Sequence, residues 1–475
     1  MKIDIAYFND VHGYLEPHQE IFFEGRGKET RLAGGYARLK TLIEGIKAKN
    51  QNTLVFDGGD TFHGTLPVLD SKGEILPDML NKMDIRAMVG HWDFAYGKDQ
   101  LLKLQSMLSY PILGCNVYQD NGSLLLDPYL IIPCGEVSIG VIGICSSIID
   151  KTMPSKFSEG LKVTDGAEEL PKYVAEVKGQ GVDIIILLSH NGYPQDLKMI
   201  SEVAGIDICL SAHTHNRLFE PTLVGETIVI QCGCHGSFLG HLSLDIAEGK
   251  ISSYDYQLIP VLTAIAPEKE TAALIDQVLE PYRQMQTEKV GVTESLLHRY
   301  DSINSSMDEL LLRSIKSFTR ADVAFSNGWR YGAPIPAGVI TRFDLYNMVP
   351  MNPVISTVEL TGKEILGMLE ENLERTFSAD PMGQMGGYVK RSLGIKAYMR
   401  IENPKKHRIQ QLFIGDQHME DAGTYLCAFI TSQGVPEDIG KNRKDLTDTT
   451  IDAIVSYLQS NNPYRSSGAE IFSLV

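Results

Sequence analysis

The sequence lacks a basic cluster and a long apolar run, and each absence disfavours a class of partner. Acidic residues outnumber basic residues by 60 to 43, for a formal charge of −17 over 475 residues. This balance disfavours a nucleic-acid polymer or an anionic membrane surface as a partner. No run approaches the ~20 apolar residues that a membrane-spanning helix requires. We therefore expect no nucleic-acid polymer and no membrane among the partners.

The chain has seven cysteines, an odd number. Four lie in or beside apolar strand-like runs and are expected to be small buried hydrophobes, namely Cys115, Cys134, Cys145 and Cys209. Cys232 and Cys234 form a C-x-C pair without a second pair, so we interpret them as structural too. A reducing compartment fits this usage. We expect a cytoplasmic protein as the sequence stands, or an exported one if a leader was removed from it.

The alternation of hydrophobic patterns predicts two domains. Residues 1–265 alternate strand-like runs with helical segments, which is typical of a layered α/β domain, and we assign the catalytic centre to it. Residues 266–290 form a charged helical stretch that we interpret as a linker helix. Residues 291–475 combine amphipathic helices with short strands, which predicts a smaller α+β domain for substrate binding. Within it, Thr361 and Glu364 have the spacing of a capping box.

Five short apolar runs end in residue types that bind metal ions. Continuous aliphatic runs of this length suit strands buried on both faces of a sheet, and open α/β sheets bind ligands beyond the carboxyl ends of their strands. The residues at the ends of these runs are Asp10, His12, Asp60, His91, His190, His213 and His215. We expect them to converge on one metal centre.

The donor types indicate both the ions and the reaction. Carboxylate and imidazole together suit manganese, our first choice, or zinc, iron or cobalt better than soft copper or hard calcium. Seven donors with one bridging carboxylate suit two ions. Two ions stabilise the attacking and the departing oxygen of an in-line displacement at phosphorus or sulfur. The sequence therefore predicts a hydrolase in which one carboxylate bridges two ions and their shared water attacks the substrate.

Four motifs in this order resemble the calcineurin-like metallophosphoesterases: Asp10-x-His12, Gly58-Gly59-Asp60, Ser189-His190-Asn191 and Ala212-His213-Thr214-His215. The downstream segments SNGWR, PAGVIT and VELTGKEI resemble the 5′-nucleotidase C-terminal domain. The resemblance implies a β-sandwich flanked by helices, a smaller α+β domain after it, and a role in nucleotide catabolism. It also implies one ion held by Asp10, His12, Asp60 and His215, and a second held by Asp60, His91, His190 and His213.

The segment 90–97 departs from the nucleotidase pattern Gly-Asn-His-Glu-Phe-Asp. His91 replaces the ligand Asn, Trp92 replaces the His thought to assist the leaving group, and Ala95 replaces the Asp that orients that His. An imidazole is a competent replacement for an amide oxygen ligand. A general acid typically contributes ~10²–10⁴-fold in rate, so we expect a good leaving group or another proton source. Trp92 would form an apolar pocket rim, and His63 is a candidate for the pocket lining.

The Gly-His-Trp-acidic-Phe form is similar to a particular branch, the thiosulfohydrolases (SoxB-like proteins) of bacterial sulfur oxidation. The stretch that contains Gly386, Gly387 and Arg391 is similar to that branch as well. The resemblance implies a dinuclear manganese centre that hydrolyses an S-sulfonate on a partner protein's cysteine. A thiolate leaving group needs little protonation, which would explain the lost acid. Export of that branch argues against this interpretation, since no leader is seen.

The nucleobase side departs from the nucleotidases too. Met351 stands before Asn352 where the family has the first aromatic of its base clamp, and the second aromatic loop is not found. Stacking contributes roughly 0.5–1.5 kcal/mol per aromatic pair, so we expect no efficient purine selection by such a clamp. Arg330 and Arg391 are candidates for binding an anionic substrate because a guanidinium matches oxyanion geometry, and Asn327 is a further candidate.

Three functions are left open by the sequence. The favoured one is a two-metal hydrolase that cleaves a small phosphate ester, with nucleotides among the candidates. The second is an S-sulfonate hydrolase, and the third is a binding protein that retains metals without turnover. The oligomeric state is open, and His18 and His235 receive no role.

Overall fold

The computed structural model describes residues 1–25, 27–468 and 470–475. The chain folds into two compact units, of which the first comprises Met1–Phe22 and Arg31–Glu280 and the second Phe23–Thr30 and Pro281–Val475. The predicted α/β class with a smaller α+β part is confirmed. The boundaries at residues 265 and 290, and the linker role of residues 266–290, stay predictions. In the described ranges, no helix has the length and apolar character needed to cross a membrane.

The elements up to Leu279 alternate strands with helices. The strands are β1 (Lys2–Phe8), β2 (His18–Glu24), β3 (Gly27–Ala33), β4 (Thr53–Asp57), β5 (Ile85–Met88), β6 (Val117–Gln119), β7 (Tyr129–Cys134), β8 (Val137–Ile144), β9 (Leu161–Val163), β10 (Ile184–Ser189), β11 (Ile208–Ser211), β12 (Thr222–Val224), β13 (Thr227–Ile230), β14 (Phe238–Ala247) and β15 (Lys250–Pro260). The helices are α1 (Tyr36–Lys47), α2 (Leu66–Asp70), α3 (Pro77–Leu80), α4 (Lys98–Met107), α5 (Ile149–Thr152), α6 (Glu169–Gly179), α7 (Tyr193–Glu202) and α8 (Lys269–Leu279), with 3₁₀ turns at Asn81–Met83, Trp92–Tyr96 and Ser155–Phe157.

Two mixed sheets form the centre of the first unit. One has the order β15-β14-β1-β4-β5 and the other the order β12-β13-β11-β10-β8-β7. Apolar side chains of both sheets share one buried core, in which Ile5 and Phe56 from the first sheet join Ile186 and Leu210 from the second. Every residue of β4 and of β10 is buried, as expected of strands covered on both faces. This arrangement is the expected β-sandwich, and α1 and α6 pack on its strands.

The sandwich explains how distant segments supply one site. In the first sheet β1, β4 and β5 are neighbouring parallel strands, and in the second sheet β10 and β11 are parallel neighbours. Because parallel strands end at the same edge of a sheet, the loops that follow these five strands lie together. Each predicted ligand follows one of those strands.

The elements after Glu280 belong to the second unit, apart from the turn Glu280–Tyr282 at the division between the units. The strands are β16 (Lys289–Thr293), β17 (Val323–Ser326), β18 (Gly338–Thr341), β19 (Val354–Thr361), β20 (Arg391–Leu393), β21 (Ile395–Met399), β22 (Ile409–Ile414), β23 (Gln417–His418), β24 (Thr424–Ile430), β25 (Lys441–Thr449) and β26 (Phe472–Leu474). The helices are α9 (Arg283–Thr287), α10 (Ser306–Thr319), α11 (Arg342–Met348), α12 (Gly362–Phe377), α13 (Thr431–Gly434) and α14 (Thr450–Ser460), with a 3₁₀ turn at Pro381–Gly383. The main sheet has the order β20-β17-β24-β19-β25, and a smaller one has the order β23-β22-β21-β26.

Local sequence signals in this unit are confirmed. Thr361 caps α12 in a reciprocal capping box with Glu364. The charged helical stretch predicted over residues 266–290 contains two helices, α8 and α9, separated by the 3₁₀ turn that contains Pro281. Proline has no backbone N–H and its ring clashes with the preceding turn, which accounts for the break.

Candidate metal centre

The seven predicted ligands come together in two groups beyond the strand ends. The ligand atoms within each group lie within 4.8 Å of one another. The first group consists of Asp10, His12 and His215, and the second of Asp60, His91, His190 and His213. All are buried except His215, which is half-buried.

Asp60 reaches both groups through one oxygen. Its Oδ2 lies 3.7 Å from His12 Nε2 in the first group. The same oxygen lies 3.5 Å from His91 Nδ1 and 3.3 Å from His190 Nε2 in the second. Atoms that share a metal ligand sphere with bonds of about 2.0–2.2 Å have separations of this size. Asp60 therefore has the geometry of a bridging carboxylate.

Asp10 gives the two groups a second link. Its Oδ1 lies 3.3 Å from His215 Nε2 and 3.6 Å from His190 Nε2. His12 Nε2 and His215 Nε2 are 3.2 Å apart. Two carboxylates and several imidazoles, from loops that follow strands of both sheets, therefore lie close together.

Several of these buried atoms have no hydrogen-bond partner. They include Asp10 Oδ1, His190 Nε2 and both ring nitrogens of His91. Leaving a buried polar atom unsatisfied costs about 1–3 kcal/mol, and a bound ligand would offset this cost for several of these atoms at once. A mixed set of carboxylate and imidazole donors fits divalent metal ions.

Backbone carbonyl groups orient two of the imidazole rings through Nδ1, the ring nitrogen that faces away from the carboxylates. His190 Nδ1 lies 2.6 Å from the carbonyl oxygen of Gly58, and His12 Nδ1 lies 3.3 Å from that of His63. Donation from Nδ1 to these oxygens leaves Nε2 of each ring with its lone pair directed at the carboxylates. The fold thus selects the tautomer that a metal ligand requires.

Backbone strain concentrates in the same loops. Asp10, His12, Asp60, His213 and His215 all adopt positive φ angles, between 51° and 72°. Non-glycine residues in this left-handed region store strain that persists where the surrounding structure fixes them, often at functional sites. Left-handed residues also occur in turns elsewhere in the chain, so the strain supports the site only together with the converging side chains.

Asp93 organises the loops without belonging to either group. Its fully buried carboxylate accepts backbone N–H groups of Asp60, Thr61, Phe62 and His91 at 2.9–3.1 Å. Four donors on one carboxylate hold both ligand-bearing loops in one conformation. The sequence indicated Asp93 only as part of a motif; its place two residues after His91 was the signal for this role.

Trp92 and His63 form the wall beside Asp60. The Trp92 backbone N–H donates to Asp60 Oδ1 at 2.7 Å, which leaves Oδ2 for the two groups. The Trp92 ring stacks on the His63 ring with centroids 4.7 Å apart and an interplanar angle of 25°. Trp92 is half-buried and His63 is buried. The pocket roles of both residues stay predictions.

Charges in the site are set by burial and by close opposite charges. Burial opposes the ionisation of Asp60, but the imidazoles of His190, His91 and His12 outweigh it and hold its pKa well below the usual value. Burial lowers the pKa of His12 to about 3, so this ring is neutral. Burial would also lower the pKa of His190, but Asp60 and Asp10 raise it to about 9. A cation at His190 would take the place of that proton.

The predicted substrate residues of the second unit lie among paired side chains. The buried Arg391 has its Nε 3.1 Å from Asp308 Oδ2, and it donates to the carbonyl oxygens of Ser302 and Asp301 at 3.2 and 2.8 Å. Its role as a substrate ligand stays a prediction, and these partners argue against it. The half-buried Arg330 has its guanidinium 5.1 Å from the ring centre of Tyr388.

The other three candidates for substrate binding are Asn327, Asn352 and Met351. Asn327 donates from Nδ2 to Gln433 Oε1 at 3.2 Å. Asn352 accepts the backbone N–H of Ile451 at 2.9 Å, which gives it a structural partner. Met351 is 48% exposed. Contact of these residues with a substrate stays a prediction.

Two family profiles match the chain. Residues 3–217 match the family described as calcineurin-like phosphoesterase, and residues 283–431 match the 5′-nucleotidase C-terminal domain. The snake venom 5′-nucleotidase of Naja atra is 24% identical over 457 residues, with 86% of this chain and 84% of the relative covered. The human 5′-nucleotidase is 24% identical over 418 residues, with 79% and 72% covered.

Solved structures share the whole fold. The sulfate thiohydrolase SoxB of Thermus thermophilus, solved in complex with glycerol, superposes with a TM-score of 0.93 at 24% identity, covering 100% of this chain and 96% of that one. A 5′-nucleotidase precursor from the same species has a TM-score of 0.89 at 21% identity, covering 100% and 99%. At these identities the likeness shows the fold and leaves the substrate open.

The sandwich, the ligand-bearing loops and the smaller second unit together define a metallophosphoesterase-type hydrolase. The two profile matches span most of the chain. The chain belongs to the calcineurin-like phosphoesterases that carry a 5′-nucleotidase C-terminal domain.

Proposed function

We propose that the protein is a two-metal hydrolase that cleaves a small phosphate ester, with nucleotides as the first substrates to test. One observation carries the proposal: buried carboxylate and imidazole atoms that lack hydrogen-bond partners converge at the ends of five strands. One ion would be held by Asp10, His12, Asp60 and His215. The other would be held by Asp60, His91, His190 and His213, with manganese as the first choice.

Two divalent ions bound here would supply a nucleophilic water at neutral pH and would neutralise the tetrahedral oxyanion of the substrate. The residues of the chain fix the geometry of this chemistry. Asp60 presents Oδ2 to both groups while the Trp92 N–H holds Oδ1. Asp93 keeps the two loops in register through its four N–H contacts. Such prior positioning lowers the entropic part of the barrier.

The leaving-group side separates two candidate substrates. The indole of Trp92 stacks on His63 and offers no proton acceptor or donor equivalent to the imidazole of the nucleotidase pattern. Without a general acid, an alkoxide leaves ~10²–10⁴-fold more slowly. This supports a substrate with a stable leaving group, and it favours S-sulfonate hydrolysis, with a thiolate leaving group, as the second candidate function.

The test is a substrate panel on the full chain loaded separately with Mn²⁺, Co²⁺, Zn²⁺ and Fe²⁺. The panel holds nucleotides, other phosphomonoesters, phosphodiesters and an S-sulfocysteine peptide. We expect phosphate release from at least one ester, abolished in Asp60→Ala and retained in Asp255→Ala, where the replaced carboxylate is exposed on β15.

Each outcome of the panel separates the hypotheses. Sulfate release from the S-sulfocysteine peptide without phosphate release from any ester would replace the first function by the second. An Asp60→Ala protein that keeps its phosphate release or its sulfate release would contradict the metal assignment. A metal-loaded protein that turns over no member of the panel would leave the binding-protein hypothesis in place of both.

A further inference from the structure

A third cluster of potential ligands lies outside both groups of the candidate metal centre. It consists of His18, Glu20 and His235, whose ligand atoms lie within 4.8 Å of one another. Glu20 and His235 are completely buried and His18 is half-buried. All three belong to the first unit. None has a role in the proposed hydrolysis.

The two carboxylate oxygens of Glu20 have different partners. Oε1 accepts from Arg217 Nη2 and from the backbone N–H of Ile21, both at 2.8 Å. Oε2 accepts from Ser237 Oγ at 2.8 Å and lies 3.8 Å from His235 Nδ1. Partners that fix one oxygen of a carboxylate leave the other suited to monodentate metal binding.

The two imidazoles face the Glu20 carboxylate. Neither ring nitrogen of His235 has a hydrogen-bond partner, although the ring is fully buried. The His18 and His235 rings lie 5.5 Å apart at 85°, and the Tyr14 ring packs on both at 4.4 and 4.6 Å. His18 Nε2 is 3.1 Å from Ser237 Oγ. These contacts hold both rings toward one point.

The backbone is shaped to admit these rings. Gly34 has a φ of +84°, and a Cβ there would lie 2.7 Å from His18 Cε1 and 3.0 Å from the carbonyl oxygen of His235. His235 itself has a φ of +59°, the same strained region as five of the proposed ligands. Its backbone N–H donates to the carbonyl oxygen of Asp10 at 2.7 Å, which ties the cluster to the first metal group.

The charges around the cluster favour a cation. Burial opposes the charge on Glu20, but His235 and Arg217 hold the pKa of Glu20 well below its usual value, so it is ionised. Burial lowers the pKa of His18 to about 4, which leaves a neutral imidazole with a lone pair. Burial opposes the charge of His235, but Cys234 and Glu20 raise its pKa to about 9. A bound cation would therefore take the place of the His235 proton beside the negative Glu20.

We propose that His18, Glu20 and His235 bind a third divalent transition-metal ion, separate from the two assigned to the hydrolytic centre. Two imidazoles and one carboxylate are a recurrent set for zinc and for ferrous iron, and they leave further positions for Ser237 Oγ or water. The ion fixes the loop of His235 against the first metal group, since the His235 ring lies 6.0 Å from the His12 ring and 6.2 Å from the His215 ring. The proposal does not rest on the proposed hydrolysis.

Metal stoichiometry tests it directly. The full chain is stripped with a chelator, reloaded with Zn²⁺, desalted and analysed for zinc per chain by elemental mass spectrometry. We expect three equivalents in the wild type, two in Glu20→Gln, and one in Asp60→Ala, where the hydrolytic centre is lost but the third site remains. His241→Gln is the matched control, because His241 pairs with Asp4 outside the cluster, and it should keep three.

A second measurement tests the proposal if one of these variants fails to fold. Co²⁺ added to stripped Asp60→Ala should give a visible ligand-field spectrum with one equivalent, and His18→Asn in the same background should remove it. Wild-type saturation at two equivalents overturns the proposal while the hydrolytic centre stands. Three equivalents retained in Glu20→Gln, or a cobalt spectrum unchanged by His18→Asn, overturns it as well.

Discussion

The two units both bury charged side chains, but they surround them with different partners. In the first unit, Asp10 and His190 keep buried atoms without hydrogen-bond partners and aim them at one point. In the second unit, Asp308 forms ion pairs with two buried arginines, with Oδ1 2.9 Å from Arg299 Nε and Oδ2 3.1 Å from Arg391 Nε. Asp308 Oδ2 also lacks a hydrogen bond, but it faces a guanidinium group of opposite charge. Arg299 donates further to two backbone carbonyl oxygens.

The groups that surround a buried charge distinguish a ligand site from a structural ion pair. A buried charge whose partners are already present stabilises one conformation of the fold. A set of buried carboxylate and imidazole atoms that converge without hydrogen-bond partners is suited to a metal ion. Residue type alone does not distinguish a ligand site from a structural ion pair, because the sequence shows polar residues among apolar ones in both regions.

The largest effect is expected from Asp60→Ala. This change removes a carboxylate oxygen that lies near ligands of both groups, so both ions of the hydrolytic centre and all turnover should be lost. Elemental analysis and phosphate release measure the two losses. An Asp60→Ala protein that keeps its metal and its activity would place the centre elsewhere and end the comparison.

Asp308→Ala should act on the other side of the comparison. It leaves two buried guanidinium groups without their carboxylate, and breaking a buried pair costs about 3–5 kcal/mol. The free energy of unfolding of the second unit should fall by that amount in denaturant titrations, while metal content stays unchanged. Asp416→Ala, which removes an exposed carboxylate of the same unit, is the control. Metal loss in Asp308→Ala without destabilisation would argue against the structural role.

Asp93→Asn should weaken metal binding by about 10–100-fold, the usual effect of losing an outer partner of a metal site. The amide that replaces the carboxylate cannot accept all four backbone N–H groups, so the Asp60 and His91 loops lose their common anchor. Isothermal titration with Mn²⁺ measures the change, with exposed Asp99→Asn as the control. Equal affinity in both variants would remove Asp93 from the positioning role.

The smallest effect concerns a buried lysine of the second unit. Burial lowers the pKa of Lys390 to about 7, and its Nζ donates to the carbonyl oxygens of Gln433 and Gly434 at 2.7 and 2.8 Å. Between pH 7 and the unfolded pKa of 10.5, the unfolded chain binds the extra proton, so stability rises with pH.

We expect this increase to be about 1 kcal/mol per pH unit above pH 7 in the wild type, relative to Lys390→Met. Denaturant unfolding at pH 7, 8 and 9 measures it. Lys444→Met, which removes an exposed lysine of β25, should follow the wild type. Parallel pH curves for wild type and Lys390→Met would show that the lysine stays charged in the fold.

Much of the fold was predictable because its signals are local. The apolar runs before Asp60 and His190 are strands buried on both faces, and Thr361 caps a helix where its spacing with Glu364 indicated. The charged stretch at residues 266–290 is helical as its composition indicated, but Pro281 lies in the turn that separates α8 from α9.

The site was predictable only in part. The ligand types and their strand-end positions pointed to a metal centre, whereas Glu20 carried no such signal, because its partners Arg217 and Ser237 come from segments far along the chain. The residue type of Arg391 indicated an oxyanion ligand, and only its contact with Asp308 in the structure revealed a competing partner.

The sequence by itself determined the class of the protein, since strand-forming runs tipped with carboxylates and imidazoles are a property of consecutive residues. Only the tertiary structure decided which donors share an ion, which oxygen of Asp60 is directed at both groups, and which buried charges are already paired. The physical reason is that hydrogen bonds and metal ligation depend on distances of a few ångströms between atoms, and those distances are set by the packing of segments far apart in the chain.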